Sequence, residues 1–186
     1  MQLCYGSVQA RRCLMDATSL VPIIIPTNHQ DLVLRQLTVE DAGLMFRLID
    51  RNRSHLSQYG ENTSSKYPTI ESAIFSVTHP ENPDKLRFGI WLEETFVGSA
   101  GLTPPHPLFS DGGSLGYWLG SEYTGQGIAT AASEALLRYA NVVLHWPRIF
   151  ARVHTDNHKS RAVLERSGFH FECERGETIH LKASLR

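Results

Sequence analysis

The 186-residue chain carries 18 Lys and Arg against 19 Asp and Glu, a formal net charge of −1, with 41% hydrophobic and 20% charged residues. These values suit one soluble globular domain with its own core, and they provide no overall field to draw the chain to nucleic acid or to an anionic membrane. Cys4, Cys13 and Cys173 show neither metal-ligand spacing nor an even disulfide framework, so no metal is expected and a reducing, cytoplasmic setting is.

Residues 1–28 lack clear periodicity and read as a poorly structured N-terminal extension, leaving 29–186 as the domain. Within the extension, the run VPIIIP is interrupted by Pro22 and Pro26 and is far too short to span a membrane. Arg11 and Arg12 stand where a signal peptide would have its apolar segment. LVLRQL then reads as a strand. Thr38 followed by Asp41 marks the start of a helix whose apolar face is expected from Leu44, Leu48 and Ile49. A polar linker over 52–68 precedes a second helix opened by Thr69 and stopped before Pro80. LRFGIWLE and FVGSAGL read as a hairpin, a proline-rich loop follows, and SLGYWLG is a further strand. After the segment YTGQGIAT comes an alanine-rich helix ending near Asn141. RIFARVHT is a strand, DNHKSRAVLERSG a helix closed by Gly168, and FHFECE with TIHLKAS a terminal hairpin.

This order implies an α/β fold with a mixed, mostly antiparallel sheet of about seven strands and about four helices. YTGQGIAT stands between a strand and a helix. The first N–H groups of a helix have no intrahelical partner and carry the positive end of its dipole. Glycines let an anion approach such amides closely. A turn that merely needs positive φ would also use these glycines. The dinucleotide pattern G-x-G-x-x-G is excluded by Thr130 at its third glycine, and no Gly-Lys-Ser/Thr follows as a phosphate-binding P-loop requires.

Two segments, LGYWLGSEYTGQGIATAASEALLRYA and RVHTDNHKSRAVLERSGFHFE, resemble the GNAT superfamily of acyl-CoA-dependent N-acyltransferases, and most closely its RimJ/RimL-type branch, which acetylates protein N-termini. The resemblance covers roughly residues 30–174 and also takes in LVLRQLTVEDAGLMFRLID. It implies a GNAT fold splayed between the fourth and fifth of the seven strands, with acetyl-CoA as acyl donor. It places the coenzyme's pyrophosphate on Thr124, Gly125, Gln126, Gly127, Ile128, Ala129 and Thr130, and its pantetheine arm along the backbone of Tyr117, Trp118 and Leu119. The side chains of Tyr117 and Trp118 read better as core packing.

The branch's Asn-x-x-Ser motif falls on Asn157 and Ser160. It implies Ser160 as proton donor to the departing thiolate and Asn157 as a residue orienting the coenzyme or a water. Asn157 also suits a helix N-cap. The tyrosine that many superfamily members use four residues on is replaced by Leu164. For the base, Glu177 lies near but out of register with the branch's glutamate, Ser114 occupies another position where relatives carry one, and His154 is a further candidate. The weakness of these candidates bears on the acceptor. An α-amine titrates near 7.7–8.0 and a lysine near 10.4, a gap of about 2.5 units or about 3.4 kcal/mol. The sequence therefore predicts a peptide or protein N-terminus, or another low-pKa small amine, as acceptor. A monomer or homodimer acting without nucleic acid or membrane is expected.

Overall fold

The computed structural model of the protein describes residues 21–60, 62–106 and 111–185. Its centre is an eight-stranded sheet in the order β1-β2-β3-β4-β5-β6-β8-β7. The strands are β1 (Ile24–Pro26), β2 (Leu32–Gln36), β3 (Leu86–Leu92), β4 (Thr95–Thr103), β5 (Gly113–Leu119), β6 (Arg148–His154), β7 (His170–Arg175) and β8 (Thr178–Ser184). Every neighbouring pair is antiparallel except β5 and β6, which run parallel. The final strand inserts between β6 and β7, pairing with both.

All seven anticipated strands are present, and β1 is the eighth. It lies inside the stretch expected to be an unstructured extension, whose residues 1–20 fall outside the described residues. Ile25 is buried against the core, and Pro26 is tolerated because β1 is an edge strand whose outer side needs no ladder donor.

The four expected helices are α1 (Ala42–Arg51), α4 (Ile70–Thr78), α5 (Ile128–Val142) and α6 (His158–Arg166). Two single-turn helices, α2 (Arg53–Leu56) and α3 (Thr63–Lys66), occupy the segment expected as a plain linker. A 3₁₀ turn over Val39–Asp41 leads into α1. There the Thr38 amide donates to Asp41 Oδ2 at 3.0 Å, and Arg35 donates to Asp41 Oδ1 at 2.7 Å. The buried face of α1 is Ala42, Met45, Leu48 and Ile49; Leu44 points outward, one residue off the anticipated stripe.

Helices cover both faces of the sheet, and alternate strand residues serve the two layers. Met45, Leu48 and Ile49 of α1 and Ala73 of α4 pack with Trp91 and Phe96 on one face. On the other, Phe88, Ile90 and Val97 meet α5 together with Ile149, Leu164 and Leu181. Ala132, Ala135 and Ala140 are fully buried, so α5 can lie close to the sheet with little side chain between.

Candidate active site

β5 and β6 pair only at Gly113 with Ile149 and Ser114 with Phe150. Beyond Ser114 the two strands part, so Leu115–Leu119 have no ladder partner on β6. The gap opens into a cleft of about 990 Å³, walled by Leu115 to Trp118 from β5, Phe150 to His154 from β6, and Ser160 and Leu164 from α6. The splay anticipated between the fourth and fifth expected strands is therefore present, between β5 and β6.

The glycine segment lies where β5 ends. A 3₁₀ turn over Ser121–Tyr123 is followed by Gly125 and Gly127, both at φ 78, and Ile128 opens α5. Gly127 is the helix N-cap and supplies no side-chain acceptor. The amides at the start of α5 therefore keep their capacity to donate. A Cβ on Gly125 would meet nothing within 4 Å, and one on Gly127 would meet only His29 Cδ2 at 4.0 Å. An open approach to unpartnered amides fits an anion such as a pyrophosphate.

The loop is braced from a distance. Asn52 is 4% exposed at the end of α1, and its Oδ1 accepts both the amide and the hydroxyl of Ser121 at 2.8 Å. Its own amide group donates to the Leu48 carbonyl at 3.0 Å. Gln126 Nε2 donates to the Glu122 carbonyl at 2.9 Å, and Thr124 Oγ1 to the Ser121 carbonyl at 2.9 Å. These bonds turn both side chains onto the loop itself.

Asn157 caps α6: its Oδ1 accepts the Ser160 amide at 3.1 Å. Ser160 faces the cleft, and its Oγ lies 2.9 Å from the Tyr117 hydroxyl. Tyr117 thus does more than the packing expected of its side chain: its ring lies against the core while its hydroxyl crosses the splay to α6. Trp118 packs as expected, beside Phe96 at a centroid distance of 6.2 Å. Leu119 is buried at the end of β5. Leu164 is 2% exposed and lines the cleft without any group that could donate a proton.

The two candidate bases, and Ser114 where relatives carry a glutamate, fall differently. Ser114 lies at the closed end of the cleft. Glu177 sits in the β7–β8 turn with its side chain 87% exposed; it is not among the lining residues and meets His154 Nε2 at 3.7 Å. His154 does line the cleft, but its Nδ1 accepts the Asp156 amide at 3.2 Å. A neutral imidazole accepting at Nδ1 carries its proton on Nε2, so neither nitrogen offers a free lone pair. Asn52 and the Tyr117 hydroxyl are site residues that sequence reasoning missed. Their partners lie 69 and 43 residues away, and no local pattern encodes such pairs.

A mixed sheet opened along one parallel strand pair, with a glycine loop and helix N-terminus at the mouth and polar hydroxyls inside, defines a splayed α/β fold with a cleft open along one strand edge. The chain belongs to the acetyltransferase (GNAT) domain family, which it matches over residues 31–170. It is 30% identical over 148 residues to a protein of Bacillus subtilis (strain 168) named "Putative ribosomal N-acetyltransferase YdaF", covering 76% of this chain and 79% of that one. It is 26% identical over 146 residues to the ribosomal-protein-serine acetyltransferase of Escherichia coli (strain K12), covering 77% and 81%. The fold superimposes on RimL, a ribosomal L7/L12 alpha-N-protein acetyltransferase solved with coenzyme A. The TM-score is 0.78 at 19% identity, over 88% of this chain and 98% of that one. The protein is a GNAT N-acetyltransferase. Among the described residues, no group of three or more His, Cys, Asp or Glu is placed to hold a metal, and no helix is long and apolar enough to cross a membrane.

Proposed function

We propose that this protein transfers the acetyl group of acetyl-CoA to the α-amine of a peptide or protein N-terminus, in a cytoplasmic setting. The observation that carries the reading is the splay: the unpaired edge of β5 leads from the glycine loop straight to Ser160 and Tyr117. When bound, acetyl-CoA supplies an activated thioester. The amides of Gly125 to Thr130 hold its pyrophosphate, Thr124 closing the loop behind them. Backbone groups of Tyr117, Trp118 and Leu119 take the pantetheine arm as a sheet takes an added strand. An N–H of the same edge is available to the thioester carbonyl oxygen.

Transfer forms a C–N bond, breaks a C–S bond, and moves one proton net from nitrogen to sulfur. Ser160 Oγ is our candidate donor for that proton, with Tyr117 fixing its orientation and Asn157 fixing the helix turn that carries it. Glu177 lies outside the cleft lining, and no carboxylate lines the cleft among the described residues. That deficit favours an acceptor that is partly neutral without help. An α-amine is roughly a tenth neutral at pH 7 and a lysine is not.

The test is a titration with acetyl-CoA by calorimetry, followed by incubation with peptides and small amines and measurement of free thiol. Micromolar binding with thiol release on free N-terminal peptides is expected. Binding without release on any amine would leave an acyl-CoA-binding module and overturn the transfer reading. Release only with small amines would overturn the peptide assignment.

A further inference from the structure

We propose that the acceptor is an anionic peptide N-terminus, one whose free α-amine is followed within the first few residues by Asp or Glu, and that Lys85 is a principal contact for that acidic side chain. The inference rests on the acetyl-transfer reading and names its substrate more narrowly.

The cleft is charged in one sense. Lys66, Lys85, Arg87 and Arg152 line it, and among the described residues no Asp or Glu does. At the chain's overall share of 19 carboxylates in 186 residues, the 29 lining residues would include about three. The cations are not all free. Lys66 pairs with Glu81 at 3.0 Å, and Arg87 donates to the Ser76 carbonyl at 2.7 Å and to the Tyr67 hydroxyl at 3.2 Å. Among the described residues, Lys85 has no carboxylate within ion-pair distance.

Lys85 is also at the correct end. It precedes β3, whose Leu86 pairs with Leu102, and the next residue, Thr103, pairs with Ser114 at the closed end of the splay. The glycine loop follows Leu119, five strand residues away or roughly 17 Å. Lys85 therefore does not serve the pyrophosphate. It faces the region where an acceptor must meet the acetyl end of the donor. Its Cε stands 3.6 Å from the position a Cβ on Gly101 would take, and a Cβ on the paired Gly116 would meet nothing within 4 Å. The end of the Lys85 stem thus lies beside a paired Gly101–Gly116 stretch of the sheet that carries no side chain.

Lys85 is exposed to solvent, yet desolvation by the surrounding protein lowers its pKa from the usual lysine range; Arg87 and Lys66 lower it further and Glu81 offsets part of that. A carboxylate brought beside it would relieve that repulsion. Such complementarity selects partners more than it raises affinity in general.

The experiment compares three peptides of equal length with free N-termini, bearing Asp, Asn or Lys at the second and third positions, at low and high ionic strength. Preference for Asp over Asn in kcat/KM on the order of tenfold is expected at low salt, carried by KM and shrinking as the Debye length falls. Lys85→Gln should remove most of that preference and Lys85→Arg should keep it, both with unchanged KM for acetyl-CoA. Equal kcat/KM for the three peptides at low salt would overturn the proposal, as would full retention of the preference in Lys85→Gln. Better turnover of free aspartate than of the Asp peptide would overturn the peptide assignment. If no peptide released thiol, the transfer reading would fail separately. Calorimetric peptide binding would still decide the charge inference, equal affinities overturning it.

Discussion

Removing the Tyr117 hydroxyl with Tyr117→Phe should slow acetyl transfer modestly, and only while Ser160 is present. The two oxygens lie 2.9 Å apart, with Tyr117 also 3.4 Å from the Ser160 carbonyl and Asn157 holding the Ser160 amide. One neutral hydrogen bond contributes about 1 kcal/mol net, and about 1.4 kcal/mol corresponds to tenfold in rate. Tyr117→Phe should therefore lower kcat by roughly fivefold if the tyrosine only orients the serine. Ser160→Ala removes the proposed donor and should lower kcat by about 10²–10⁴-fold, the usual range for general acid assistance. With no serine to orient, adding Tyr117→Phe to Ser160→Ala should change nothing further, a coupling of about 1 kcal/mol. The assay is thiol release under saturating acetyl-CoA, with coenzyme affinity measured in parallel by calorimetry and expected to stay close to wild type. A twofold loss for Ser160→Ala beside a hundredfold loss for Tyr117→Phe would refute the assignment and make the tyrosine the donor. Independent, additive losses would refute the coupling.

Gly127→Val should weaken coenzyme A binding by tenfold or more in calorimetry, since φ 78 is strained for a β-branched residue and its side chain would stand over the amides of α5; equal affinity would remove the loop from the phosphate site. Asn52→Ala should cost about 1–3 kcal/mol in urea unfolding, because it leaves the Ser121 amide without its acceptor. It should also weaken coenzyme A binding, and no change in either quantity would show that the brace is dispensable. Asp41→Ala should destabilise by about 2 kcal/mol in the same assay, as both the Arg35 pair and the Thr38 amide lose their partner. A change below a few tenths would place the fold's support elsewhere.

How far the sequence carried can be judged element by element. The hairpin of β3 and β4, the caps at Thr69 and Asn157, and the glycine segment before α5 were legible because each is written in neighbouring residues. The strand β1 was not, because three residues containing a proline show no alternation and an edge strand needs only one good face. Leu44 stands four residues before Leu48 and so fits an i, i+4 stripe as well as Met45 does beside Ile49; after the 3₁₀ turn over Val39–Asp41 the buried stripe runs through Ala42, Met45, Leu48 and Ile49 instead. The insertion of β8 between β6 and β7 is likewise invisible to periodicity, which tells a strand from a helix but not which neighbour it takes. In the site, Asn157 and Ser160 were singled out by the resemblance to the branch's Asn-x-x-Ser motif, with Asn157 also legible as a helix N-cap. The Asn52–Ser121 brace and the Tyr117–Ser160 bond exist only once the splay and the two layers are assembled.

The most direct measurement uses a single peptide that carries both a free N-terminus and an internal lysine. After incubation with acetyl-CoA, fragmentation mass spectrometry locates the acetyl group. The site described here, with Ser160 and Tyr117 in the splay and no strong base among its described lining, predicts acetylation of the α-amine with the lysine left unmodified. Acetylation of the lysine at a comparable or greater rate would contradict it.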